Sequence, residues 1–240
     1  MEIVVKQGGI SPYTICFLAA FLLDYLYVAY ELRRTGVPRK HILYSFMLNT
    51  VLILYGGINY TTITEIIAKR QVERVGFSGL GGVIGMVLGV VVFGWISREH
   101  RDDIRRTYIV SLGLMYSVSK LGCFLVGCCY GVPYEGFGSV TYIKEGMEPI
   151  GRVPVQLLEV ILFAVLFMLV HFYGKKHKDK AIIASFMVYS LGKFSLDYLR
   201  EYTSRPVFSH NQLVCIVIFL LGIGLLIYQT VDKKDLAKLQ

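Results

Sequence analysis

Three thiols fall within seven residues of this 240-residue chain, at Cys123, Cys128 and Cys129, interspersed with Gly122, Gly127 and Gly131 and followed by Pro133. That punctuation describes a helix ending in a loop that shapes a site. Lys120 stands three residues before the first thiol, and a neighbouring cation lowers a thiol's pKa, which makes Cys128 a candidate nucleophile. Cysteine is equally a small apolar filler of membrane helices, the reading that suits Cys16 and Cys215. A vicinal disulfide or a metal site is the weaker alternative. No His or further Cys stands at a zinc-ligand spacing, so neither a metal nor a cofactor is expected.

A second group of residues carries charge. Lys193, Asp197 and Arg200 follow one another at spacings of four and three, which puts them on one helical face. Glu159 and Gln156 occupy another apolar run. Two readings stand side by side: a buried ion pair tying helices together, or a cationic pocket for a phosphate in which Asp197 orients or activates a hydroxyl or thiol. Tyr13 falls at the same membrane face as the Gly79-Leu80-Gly81-Gly82 turn, whose exposed backbone N–H groups can bind an anion. Gly81, Gly85 and Gly89 also repeat at the spacing that lets membrane helices approach closely. Among the histidines, His210 alone falls in an outer loop, as a possible base.

These residues must be positioned by elements that live in lipid. The chain is 55% hydrophobic and 18% charged, with mean hydropathy +0.56, and the apolar residues gather into runs at 13–30, 42–58, 77–96, 107–127, 154–173, 181–199 and 212–230. Each run is long enough to cross hydrocarbon. The reading is an all-α, polytopic membrane protein with about seven transmembrane helices, a single integral membrane domain over 1–240. The first run lacks a basic leader beyond Lys6 and a small-residue cleavage site, so the first helix is expected to act as its own insertion signal. Five cysteines in a chain of this length do not make a disulfide scaffold. A formal charge of +8 distributed among short loops forms no stripe for nucleic acid.

With odd helices running inward, the inner segments hold fifteen Lys and Arg: four near Arg33–Lys40, four near Arg98–Arg106, four near Lys175–Lys180 and three near Lys233–Lys238. The outer segments hold eight, including Lys6, Lys69, Arg74 and Arg205. This bias places the amino terminus outside and the carboxyl terminus in the cytosol. Asp24, Lys120, Glu159, Lys193 and Asp197 are the amines and carboxylates inside the runs. Ionisable groups in lipid cost a few kcal/mol each, so they are expected to face one another or a wet cavity. All but Asp24 fall in the outer half at about 1.5 Å per residue. Residues 59–76, 128–153 and 200–211 are expected as outer loops.

The run Lys120-x-Gly-Cys-Phe-x-x-Gly-Cys-Cys-Tyr-Gly-x-Pro, then Val153-Pro154-x-Gln156-Leu157-x-Glu159, then Gly192-Lys193-Phe194-x-x-Asp197-x-x-Arg200, resembles the bacterial prolipoprotein diacylglyceryl transferases, in a divergent subgroup with a Gly-Cys-Cys-Tyr-Gly segment. Tyr13, the Gly81-Gly82 turn and Gln212 extend the likeness through most of the chain. Leu80 stands where the family has His, Cys123 where it has Asn and Cys128 where it has Glu, while Lys120, Lys193 and Asp197 keep the charge of the family's Arg, Arg and Glu.

The resemblance implies a multi-pass protein of the bacterial plasma membrane. It would move a lipid group from an anionic phospholipid, phosphatidylglycerol, onto the thiol of a prolipoprotein lipobox at the outer leaflet. Lys120, Cys128, Asp197 and Glu159 would be catalytic, and Tyr13, Gly81, Gly82, Cys123, Gln156, Lys193 and Arg200 would bind substrate. The alternatives are a non-catalytic lipid or small-molecule binding or transport protein on the same scaffold, or a thiol-dependent lipid or acyl transferase using Cys128.

Overall fold

A computed structural model describes residues 1–5, 11–70, 76–144, 148–202 and 207–238. Lys6, Arg74 and Arg205, which entered the charge bias, lie outside them. Seven α-helices are described: α1 (Pro12–Arg34), α2 (Arg39–Lys69), α3 (Gly79–Ile96), α4 (Arg101–Leu125), α5 (Val155–Lys176), α6 (Ala181–Asp197) and α7 (His210–Lys238). Six of them, all but the 17-residue α6, are long and apolar enough to cross a membrane. Their outward positions carry large apolar side chains such as Leu18, Ile67, Trp95, Leu169 and Leu220, each more than half exposed, as lipid-facing helices require.

One expectation is corrected. Residues 59–69 continue α2 instead of opening a loop. The polar residues there do not break the helix because their hydroxyls turn back onto it: Thr61 donates to the Gly57 carbonyl at 3.2 Å and Thr64 to that of Tyr60 at 2.9 Å. Such bonds give these hydroxyls a partner on the helix itself.

The chain divides into two compact units. The first comprises Met1–Leu23 and Gly113–Gln240, the second Asp24–Leu112. In the second, α2 and α3 meet backbone to backbone. A Cβ on Gly81 would lie 2.4 Å from the Gly56 carbonyl oxygen, one on Gly85 2.0 Å from that of Leu52, and one on Gly89 2.5 Å from Asn49 Oδ1. The repeat of four is therefore a contact seam, closed by backbone at Gly81 and Gly85 and by the Asn49 side chain at Gly89. Asp24 is buried, at 1% exposed, and Ser45 joins Tyr108 at 3.1 Å.

In the first unit, α5 packs on α6 and α6 on α7. Ser117 of α4 donates to the Val160 carbonyl of α5 at 2.8 Å, and the Tyr116 and Phe163 rings lie 4.5 Å apart. This unit also carries a small sheet not expected from the sequence: β1 (Glu2–Val4) runs parallel to β2 (Val140–Ile143), which pairs antiparallel with β3 (Gly151–Arg152). Its side chains Val140 and Tyr142 bury against Phe124 at the end of α4, with Leu157 of α5 alongside. The sheet thus anchors the segment that follows α4.

Candidate functional site

The thiol segment is shaped first by how α4 stops. Gly127, at φ +59°, takes the left-handed conformation that ends a helix. The Cys128 amide then donates to the Cys123 carbonyl at 3.1 Å and the Gly127 amide to Phe124 at 3.4 Å, a Schellman closure. A side chain at Gly127 would also strike Tyr142 at 2.7 Å. The turn brings Cys128 and Cys129 back beside Cys123, so that the three Sγ atoms all lie within 4.8 Å of one another. Cys129 is itself left-handed at φ +60°, a conformation a non-glycine residue holds only when its surroundings enforce it.

The surroundings do so through the next residues. The Gly131 amide donates to the Val153 carbonyl, Val132 donates to Leu199, Val153 donates back to Val132, each at 3.0 Å, and Glu201 donates to Tyr130 at 3.2 Å. Segment 130–132 is therefore held between the approach to α5 and the exit from α6. Gly131 is required there, since a Cβ would meet the Val153 and Leu199 carbonyls at 2.6 and 2.7 Å. This clamp is what brings Gln156 and Arg200 to the cysteines. Gln156, fully buried, donates to the Cys128 carbonyl at 2.6 Å. Arg152 pairs with Glu201 and lies over the Tyr130 ring at 4.4 Å.

The charges form a chain through three helices. Lys120 of α4 meets Glu159 Oε2 of α5 at 2.8 Å, Lys193 of α6 meets Glu159 Oε1 at 2.5 Å, and Lys193 reaches Asp197 at 3.2 Å. None of the four is more than 7% exposed. Two amines against two carboxylates leave the group neutral, and each ion has partners for its hydrogen bonds, the condition on which buried ions are tolerated. Tyr116 donates to Glu159 at 3.1 Å, and its ring lies 5.0 Å from Lys120 Nζ. Asp197 accepts from Tyr202 at 2.8 Å, from Ser209, and from Asn211 at 3.4 Å. Asp197 is thus a fixed anion surrounded by donors, and Lys193 is gripped at both sides.

Lys120 and Arg200 act on the thiol end. The Cys129 thiol is held well below the ordinary thiol pKa by hydrogen bonds from Cys123 and Cys128, with Lys120 and Arg200 adding to the effect against the cost of burial. Cys128 is shifted the other way, upward, by its hydrogen bonds with Cys123 and Cys129 and by burial. These opposite directions make Cys129 the more readily ionised of the two adjacent thiols.

Of the residues singled out from sequence, the first unit brings together Lys120, Cys123, Cys128, Gln156, Glu159, Lys193, Asp197 and Arg200. Tyr13 joins them at the first turn of α1: a Cβ on Gly122 would lie 3.0 Å from the Tyr13 Cα, and Tyr13 interacts electrostatically with Cys123 and Lys120. Gly81 and Gly82 lie in the second unit, in the α2–α3 seam. Their amides are occupied there: Gly81 N–H donates to the side chain of Ser78 and Gly82 N–H to its carbonyl. Sequence reasoning missed Tyr116, Tyr202, Ser209 and Arg152. Tyr116 had a signal, four residues before Lys120 on the same helical face. The others join by contacts that no periodicity announces.

The family described as prolipoprotein diacylglyceryl transferase matches residues 2–228. Phosphatidylglycerol–prolipoprotein diacylglyceryl transferase 2 of Clostridium perfringens is 27% identical over 157 residues, 64% of this chain and 61% of that protein. The phosphatidylglycerol–prolipoprotein diacylglyceryl transferases of Helicobacter pylori and Chlorobaculum tepidum are 24% and 26% identical, covering 98% and 95% of this chain and 92% and 89% of their own. The C. perfringens match thus spans about three fifths of that relative's length. Bacterial relatives and six apolar helices make this a bacterial multi-pass membrane protein. With almost the whole chain matched, the protein belongs to the prolipoprotein diacylglyceryl transferase family.

Proposed function

We propose that the protein transfers a lipid group from an anionic phospholipid, phosphatidylglycerol, to an acceptor thiol such as that of a prolipoprotein lipobox, at the outer leaflet of the bacterial plasma membrane. In this reading α6 is a seventh crossing, the amino terminus is outside and the carboxyl terminus cytosolic. The observation that carries it is the buried chain Lys120–Glu159–Lys193–Asp197 beside Arg200. Ionisable groups gathered at such cost inside membrane helices serve a task there.

The acceptor sulfur attacks the diacylglyceryl carbon, a carbon–sulfur bond forms, and the bond to the phosphate oxygen breaks. Glycerol phosphate leaves with the electron pair. Lys120 and Arg200 stabilise the negative charge of the departing phosphate. Glu159 holds Lys120 and Lys193 in place, and with Asp197 provides the anionic side toward which the thiol proton moves. Tyr13, Gln156 and Cys123 line the headgroup side. Gly81 and Gly82 would support substrate binding by setting the start of α3, their amides being engaged with Ser78.

A second reading has one observation in its favour, the three clustered thiols: a covalent route through them would use Cys129, whose pKa is the lowered one, in place of Cys128. Purified protein incubated with labelled phosphatidylglycerol and a lipobox peptide tests the proposal. Thioether product and released glycerol phosphate are expected. Bound lipid with neither product identifies a non-catalytic lipid-binding protein, and full turnover by Cys128→Ser and Cys129→Ser excludes the covalent route.

A further inference from the structure

We propose that Cys123, Cys128 and Cys129 form a three-thiolate binding site for one soft metal ion, of the class of monovalent copper or zinc. Three sulfurs bound to a common ion at about 2.3 Å each stand roughly 4 Å apart. The three Sγ atoms already lie within 4.8 Å of one another, so closing on an ion takes only small rotations. The donor set is sulfur alone, with no carboxylate or imidazole in the group. Such a set selects soft ions and rejects magnesium, calcium and manganese.

The backbone holds this set in place before any ion arrives. Cys123 sits on the last turn of α4, Cys128 is fixed by the Schellman closure and by Gln156 on its carbonyl, and Cys129 is kept left-handed by the clamp that follows. Cys123 is 8% exposed while Cys128 and Cys129 are partly open, which shields an ion yet leaves it a way in. Three thiolates around a monovalent ion leave a charge of −2, opposed by Arg200 and by Lys120, whose charge is shared with Glu159. Binding displaces the thiol protons, so uptake weakens as pH falls.

The test uses the reduced, full-length protein in detergent, titrated separately with monovalent copper under a competing chelator and with zinc. One equivalent per chain is expected, with an X-ray absorption shell of three sulfurs. Uptake of copper alone assigns a closed trigonal site, and uptake of zinc with one added oxygen assigns a site with an open fourth position. Cys123→Ser, Cys128→Ser and Cys129→Ser should each weaken binding at least tenfold, while Cys16→Ser with Cys215→Ser leaves it unchanged. Because those serine variants risk misfolding, alkylation of the wild-type chain gives a second readout: the metal should protect the three clustered thiols and leave Cys16 and Cys215 labelled as before. Uptake of neither ion, a shell of oxygen and nitrogen, or equal alkylation with and without metal overturns the proposal.

Discussion

The α2–α3 seam and the α4–α5–α6 seam solve the same problem in opposite ways. Lipid supplies no hydrophobic drive for one helix to seek another, so helices must be joined by close packing or by polar contacts. The first seam removes side chains: Gly81 and Gly85 let two backbones touch, and Gly89 makes room for Asn49. The second inserts ions, with Glu159 accepting from Lys120, Lys193 and Tyr116. Glycine contact achieves the joining without desolvating any charge. A region that uses four buried ions where glycines would serve is therefore the region where chemistry is to be sought. The helix ends make the same contrast. Gly36 and Gly127 both close their helices left-handed, but a Cβ at Gly36 would meet nothing within 4 Å, whereas Gly127 is pressed on Tyr142 and delivers the thiols.

The strongest way to break this contrast is to remove the shared anion. Glu159→Leu leaves Lys193 with Asp197 and takes from Lys120 the carboxylate it pairs with, and the cost of such an orphaned charge is about 3–5 kcal/mol. Thermal unfolding in detergent should show that loss, and lipid transfer should vanish. Adding Lys120→Met should restore part of the stability without restoring transfer. If Glu159→Leu unfolds like the wild type, the amines reach water and the chain of ions is not buried. The glycine seam is the counterpart. Gly85→Ala sets a Cβ against the Leu52 carbonyl at 2.0 Å, where only backbone can yield, and overpacking of this kind costs about 1–3 kcal/mol. Here stability should fall while the variant that remains folded still binds lipid.

The two seams were unequally legible. The glycine repeat and the Lys193–Asp197 spacing are local periodicities, and periodicity is what a sequence displays directly. Burial of Glu159 with both lysines followed from the cost of charge in lipid, although which oxygen meets which amine did not. Tyr202, Ser209 and Asn211 converge on Asp197 from beyond α6, and the Arg152–Glu201 pair joins residues 49 apart. Such contacts are set by the loop clamp and not by spacing. The sheet was equally hidden, since β1 and β3 have three and two residues, too few for an alternation to register. The length of α2 escaped because its last turns are polar, and polarity marks the limit of the hydrocarbon and not the limit of the helix.

Within the ion-bearing unit, the thiols sharpen the comparison at a smaller energy. Metal-free protein alkylated across a pH series should show Cys129 reacting at a steady rate as pH falls below about 8.5, the ordinary thiol value, because its lowered pKa keeps the thiolate populated until pH passes through that lower value. Cys128, shifted upward, should gain reactivity only on the alkaline side. Near neutral pH Cys129 should be labelled faster than Cys128. Mass spectrometry of the labelled peptides reads this directly, and equal rates at the two sites would remove the thiolate from Cys129.

The smallest effect tests whether glycine matters by position or by kind. Gly224 lies within α7, and a Cβ there would meet nothing within 4 Å, whereas at Gly222 it would meet Met187 Cγ at 3.0 Å. Alanine is the better helix former by roughly 0.5–1 kcal/mol, so Gly224→Ala should raise the unfolding temperature slightly. Gly222→Ala should gain less, because Met187 must give way, though a flexible side chain yields more readily than the Leu52 carbonyl facing Gly85. The order Gly224, Gly222, Gly85, from gain to loss, follows from what stands opposite each Cβ. If all three variants lose stability alike, the glycines act through the helix backbone itself, and the α2–α3 seam loses its claim to be a packing device distinct from the ion chain.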